Sequence, residues 1–110
     1  MIHVRKVLPE YFEALRTGRK RFELRKEEES EEPFSTGDFL ALNEWIESET
    51  TEVSAGGKVY EKYSSGHYTG RCLFFEILYV LRGHELQQPG TVILSLSLRP
   101  LCGDDVAAIR

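Results

Sequence analysis

Only one stretch of this chain carries a helical repeat, and it is bracketed at both ends. Leu8, Phe12 and Leu15 recur at the spacing of one helix face. Pro9 opens the segment in the first turn, where a missing N–H costs nothing, and Gly18 closes it. Glu10 and Glu13 fall near the positive end of the helix dipole and Arg16 near the negative end. The other apolar segments read with period two. His3 to Leu8 alternates Val4 with charge, and Phe22 to Lys26 forms a second strand. In residues 39–46, Leu40, Leu42 and Ile46 share one face, and Phe39, Ala41, Asn43 and Trp45 share the other. Cys72 to Leu81 is the strongest strand, and Thr91 to Leu98 turns Val92, Leu94, Leu96 and Leu98 inward. One helix with no helix–strand alternation excludes a doubly wound parallel sheet. It predicts a mainly β (α+β) domain, a small barrel whose principal helix follows the first strand and plugs one end.

At 110 residues the chain fits one domain able to bury a core without staples. Residues 1–102 form that domain, with a flexible insertion at 47–66 that reads as a hairpin tipped by Gly56-Gly57; residues 103–110 are a tail. The acidic run at 27–32 reads as a solvated loop without a core residue. No segment is long and apolar enough for a membrane span, and the opening MIHVRKVL lacks the apolar stretch of a signal peptide. Cytoplasmic residence without membrane association follows as the expectation. Cys72 and Cys102 match no redox or metal spacing, and the three histidines are scattered, so neither a metal nor another cofactor is expected.

Net charge is −4, but its distribution says more than its sum. The first 26 residues hold eight Lys/Arg against three acids; the remainder holds six against fifteen. A basic cluster on an acidic protein favours a localised anion site over a general polyanion coat. The cluster centres on residues 18–25, GRKRFELR, where Arg21, Glu23 and Arg25 share a strand face and Lys20 lies at the helix–strand junction. An acid among three cations at an element boundary suits a polar or anionic ligand. The alternative is a solvated strand edge with surface ion pairs of little energetic weight.

The pattern Gly18-x-Lys20-x-x-Glu23-x-Arg25 resembles the signature of the ASCH domain, a branch of the PUA-like superfamily. The opening HVRKVLPEYFEALRTGRKRFELRK, then GDFLALNEW, YTGR before a long apolar strand, LRG and the closing VILSLSL are similar to a small bacterial and phage family within it. The resemblance spans nearly the whole chain outside residues 47–66. It implies a PUA-like β-barrel that binds RNA or a nucleotide-like ligand in a cleft holding Lys20, Glu23 and Arg25. Some ASCH proteins hydrolyse acyl-modified cytidine with the motif lysine and a threonine three positions later. Here that position is Glu23, so the threonine nucleophile is missing.

In a binding role Lys20 offers a point charge for phosphate, Arg25 a pair of parallel hydrogen bonds, and Glu23 an acceptor for an exocyclic amine or an anchor for Arg25. Trp45, Tyr68 and Tyr79 are candidate stacking surfaces, with core packing the alternative for Trp45; Thr69 and Arg71 are a candidate second polar wall. Hydrolysis of a modified nucleoside, with Lys20 and Glu23 as the catalytic pair, is the alternative function. Glu76 is a further acid, assigned to the exterior of its strand. A non-catalytic protein-interaction module using the acidic loop and the insertion is the third class.

Overall fold

A computed structural model describes residues 1–55 and 58–100, with the side chains of residues 1–48 and 65–100. Strand β1 (Ile2–Val7) leads into helix α1 (Pro9–Arg16), followed by β2 (Phe22–Lys26), β3 (Phe39–Ala55), β4 (Lys58–Arg82) and β5 (Thr91–Arg99). They form one five-stranded mixed sheet in the order β1-β3-β4-β5-β2. The β1–β3 pair is parallel and the other three pairs are antiparallel. The fold is therefore mainly β with one helix after the first strand, as the periodicity predicts. Closure differs from the expected barrel. Strands β1 and β2 are the sheet edges, and no ladder joins them among the described residues.

The core collects Phe12 and Leu15 of α1 against Leu40, Leu42, Phe75, Ile77, Val92, Leu94 and Leu96. Leu98, expected inward, is half-exposed, because β5 runs on past the packed region. On β3 Ile46, which shares the face of Leu40 and Leu42, is half-exposed, and Glu44 takes the next core-facing place after those two. The register shifts between Asn43 and Trp45, where three residues of β4, Thr69 to Arg71, lie opposite Glu44 alone. Gly70 takes φ +90° in that bulge, a conformation that favours glycine.

The expected hairpin at 47–66 continues β3 and β4, with Glu47 opposite Gly66 and pairing running on to Ala55 and Lys58. Gly56, Gly57 and the tail 103–110, with Cys102, lie outside the described residues. Gly66 permits a close approach. A Cβ there would stand 2.2 Å from the Ile46 carbonyl oxygen and 2.8 Å from the Trp45 ring.

The acidic loop is tied down at both ends, contrary to its reading as wholly solvated. Phe34 is only 1% exposed, packs 4.6 Å from the His3 ring and adds a core residue just beyond the acidic run. Glu27 accepts from Arg82 Nε and Nη2, each at 2.6 Å, and from the Phe34 N–H at 3.0 Å. These contacts, Arg82 foremost, hold its carboxyl below the usual carboxylate range. The His3 ring bonds Asp38 at 2.9 Å and lowers that carboxyl likewise. Glu13, paired with Arg16 and Arg71, is lowered to about 2.

Two outcomes follow from this anchoring. Phe34→Ala should cost about 3–5 kcal/mol, the range for truncating a buried phenylalanine, in urea unfolding followed by Trp45 fluorescence. A loss below about 1 kcal/mol would show that the loop does not depend on this anchor. Depressed carboxyls make the unfolded chain bind more protons in acid. For Glu27 that stabilisation is complete above the unfolded value of 4.5 and is lost as pH falls through its lowered folded value. Thermal midpoints across that window should fall less steeply for Glu27→Gln than for wild type; parallel slopes would refute the assignment to Glu27.

Candidate functional site

The site begins where the helix stops. Gly18 adopts φ +78°, which only glycine takes at little cost, and its N–H donates to the Leu15 carbonyl at 3.2 Å. The reversed chain lets the Lys20 N–H donate to the Ala14 carbonyl at 2.9 Å, which pins the lysine backbone against the helix end. Strand β2 then pairs with β5, Glu23 opposite Leu94 and Arg25 opposite Val92. Directly opposed residues share a face, and Leu94 and Val92 are core residues, so Glu23 and Arg25 turn inward. Phe22 and Leu24 turn outward, 51% and 59% exposed. The charged face of this strand is its inner face. Glu23 is only 3% exposed, so it is not part of a solvated edge.

Both oxygens of that carboxylate are engaged. Lys20 Nζ donates to Oε1 at 2.6 Å, and Arg25 Nε donates to Oε2 at 2.7 Å. Arg25 Nη2 reaches further, to the Lys6 carbonyl at 2.8 Å, so its guanidinium spans from β2 to β1 across the open edges of the sheet. The Lys20 ammonium also lies 4.7 Å from the Tyr11 ring centroid and 5.4 Å from that of Phe22. These groups line an open groove of about 520 Å³ with Val7 and Leu8 among its apolar walls. Two cations, one saturated carboxylate and two aromatic rings are thus brought together at one end of the fold.

The other predicted residues make their contacts elsewhere. Trp45 and Tyr68 pack edge to face at 4.9 Å, with Tyr68 on β4. The Lys6 ammonium stands 4.0 Å over the Trp45 ring. Tyr79 is exposed on β4, where it pairs with Ser95. Glu76 bonds Arg99 at 2.7 Å. The Thr69 hydroxyl donates to Glu44 at 2.8 Å, and Arg71 Nη2 donates to Glu13 at 2.6 Å.

Three site residues escaped the sequence reading. Glu44 is a second buried carboxylate, 4% exposed, held by Thr69 with Arg71 Nη1 at 3.7 Å. Its signal was present: two residues after Leu42, it stands in the core phase of an apolar strand. Tyr11 and Lys6 gave no comparable signal, because their places in the groove depend on β1 and α1 meeting β2 in space.

The shared carboxylate makes Lys20 and Arg25 interdependent. With either cation gone the other still pairs with Glu23, so Lys20→Met and Arg25→Met should each cost about 1–2 kcal/mol. The double variant leaves a buried charge unpaired and should cost about 3–5 kcal/mol or more, exceeding the sum of the single losses. Strict additivity in urea unfolding would show that Glu23 does not couple them.

No curated protein matches the chain. Residues 2–96, most of its length and all of the groove, match the family described as a domain of unknown function (DUF3850), and the chain belongs to that family.

Proposed function

We propose that this DUF3850 protein is a PUA-like module of the ASCH type that binds RNA or a nucleotide-like ligand in the groove beside α1. The observation that carries the reading is the buried Glu23 carboxylate, which fixes the Lys20 ammonium and the Arg25 guanidinium beside the Tyr11 and Phe22 rings. A buried anchor limits the freedom that two long cationic side chains would otherwise lose on meeting a ligand. The trio carries two positive charges against one negative, so a net positive charge remains for phosphate. The guanidinium supplies directional donors and the rings supply flat apolar surface for a base. The basic surplus of the first 26 residues adds to this attraction.

Fluorescence anisotropy with short single-stranded and hairpin RNAs at two salt concentrations tests the reading. Binding should be micromolar, weaken with salt, and fall at least tenfold in folded Lys20→Ala and Arg25→Ala variants. Absence of binding at low salt would overturn RNA recognition. Turnover of a modified nucleoside that is lost in Lys20→Ala or Glu23→Gln would replace the binding role with the hydrolytic one.

A further inference from the structure

The groove at Lys20 and Arg25 is not isolated. On one side, Lys20 also lines a second groove of about 570 Å³ between the end of α1 and strands β4 and β5. Arg16, Arg21, Ser95 and Ser97 stand on its walls. On the other side, Lys6, Val7 and Leu8 are common to the central groove and to a third of about 270 Å³ that reaches Trp45. The first groove adjoins the central one at Lys20, and the central one adjoins the third at Lys6, Val7 and Leu8, so the three lie in series, a trench from β5 past the helix end and β1 to Trp45.

The chemistry along that trench repeats. Each compartment has at least one cation: Arg21 in the first, Lys20 and Arg25 in the centre, Lys6 at the far end. Arg21 and Lys6 are exposed, and neither forms an ion pair among the described residues. Lys6 rests instead on the Trp45 face. Aromatic surface recurs too, at Tyr11 and Phe22 in the centre and Trp45 at the end; Phe75 of the first compartment is buried in the core. Two carboxylates line the trench; Glu23 is saturated, and Glu47 lies at the far end beside Trp45. Alternating cations and flat rings suit a ligand that alternates phosphates and bases. Bases show their faces to protein rings only when they are free of a duplex.

We infer that the trench binds a single-stranded oligonucleotide across several consecutive nucleotides, with Lys20 and Arg25 at its centre and Trp45 and Arg21 towards its two ends. This rests on the nucleotide-binding reading and narrows its ligand from RNA or a nucleotide-like molecule to a single strand tracked over several nucleotides. Lys6 leaves the Trp45 ring for a phosphate when a base takes the ring face.

Length dependence tests it. Oligouridylates of one, two, four and six nucleotides are titrated at low salt, read by the fluorescence of Trp45, the one tryptophan of the chain. Affinity should rise at least tenfold from the monomer to the tetramer, and quenching should require the longer oligomers. Lys6→Gln and Arg21→Gln lie at exposed positions, and Trp45→Phe keeps a ring. Each should shrink the gain with length, while Lys20→Ala weakens binding at every length; anisotropy reads the Trp45 variant. If uridine monophosphate binds as tightly as the hexamer, and the end substitutions change nothing while Lys20→Ala still does, the central cleft stands and the trench is refuted. If no nucleotide of any length binds, both fall together.

Discussion

A carboxylate sealed inside a small β fold must be neutralised, and the geometry at Glu23 shows how many other features serve that requirement. Left alone, a buried carboxylate would cost several kcal/mol of lost hydration. Here Lys20 and Arg25 take one oxygen each, from opposite sides in sequence. Lys20 reaches it because Gly18 stops the helix in the left-handed conformation and returns the chain to the Ala14 carbonyl. Arg25 reaches it because β2 is registered on β5 with Val92 opposite the arginine. The second end of Arg25 bonds the Lys6 carbonyl, so the group that neutralises the acid also ties together two sheet edges. Helix stop, strand register and edge contact converge on one anion.

Glu44 solves the same problem with different means. Its main partner is a neutral hydroxyl, and its cation, Arg71, is shared with Glu13 on the helix while lying 4.3 Å over the Phe12 ring. The three-residue bulge makes this possible by bringing Thr69 and Arg71 against one residue of β3. The two buried acids therefore differ in what they leave available. Arg71 is spent between two carboxylates, whereas Lys20 and Arg25 together carry one more charge than Glu23 removes. That difference leaves a net positive charge at the Glu23 end and makes the Glu44 cluster a brace between helix and sheet.

The element order was legible because it is local. The stripe Leu8, Phe12, Leu15, opened at Pro9 and closed at Gly18, sets the helix, and alternation sets the strands. Period two also showed that Glu23 and Arg25 share a face. Which face turns inward is not a local property. By hydrophobicity alone Phe22 and Leu24 have the better claim to the core, and only the pairing of β2 with the buried residues of β5 reverses it. Phase alone does not ensure burial either: Ile46 follows Leu40 and Leu42 on one face yet is 39% exposed. The acidic loop misled through composition: five glutamates conceal that Glu27 is fixed by an arginine 55 positions away and that a buried phenylalanine follows. The contact between the two open edges could not be read at all, because it depends on a side chain, Arg25, bonding a backbone carbonyl 19 residues earlier.

The net charge of −4 describes the surface badly. Several of the acids are consumed: Glu13 by Arg16 and Arg71, Glu27 by Arg82, Glu31 by Arg5, Glu76 by Arg99. The cations used in these pairs, Arg5 and Arg16 apart, come from the later strands. The basic residues around the helix stop are spared, and Arg19, Arg21 and Lys26 stay exposed without an ion pair among the described residues. Unneutralised acids such as Glu28, Glu29 and Glu32 remain exposed on the loop between β2 and β3. A polyanion approaching this molecule meets repulsion from that loop and attraction at one end, and fields of both signs orient an encounter better than a uniform coat of cations does. An acidic protein with its unpaired cations near one end can therefore be more selective about how a polyanion approaches than a basic one. Such steering weakens as salt screens charges beyond about 10 Å; under the proposed function the contacts of Lys20 and Arg25 would then hold a nucleic acid already docked.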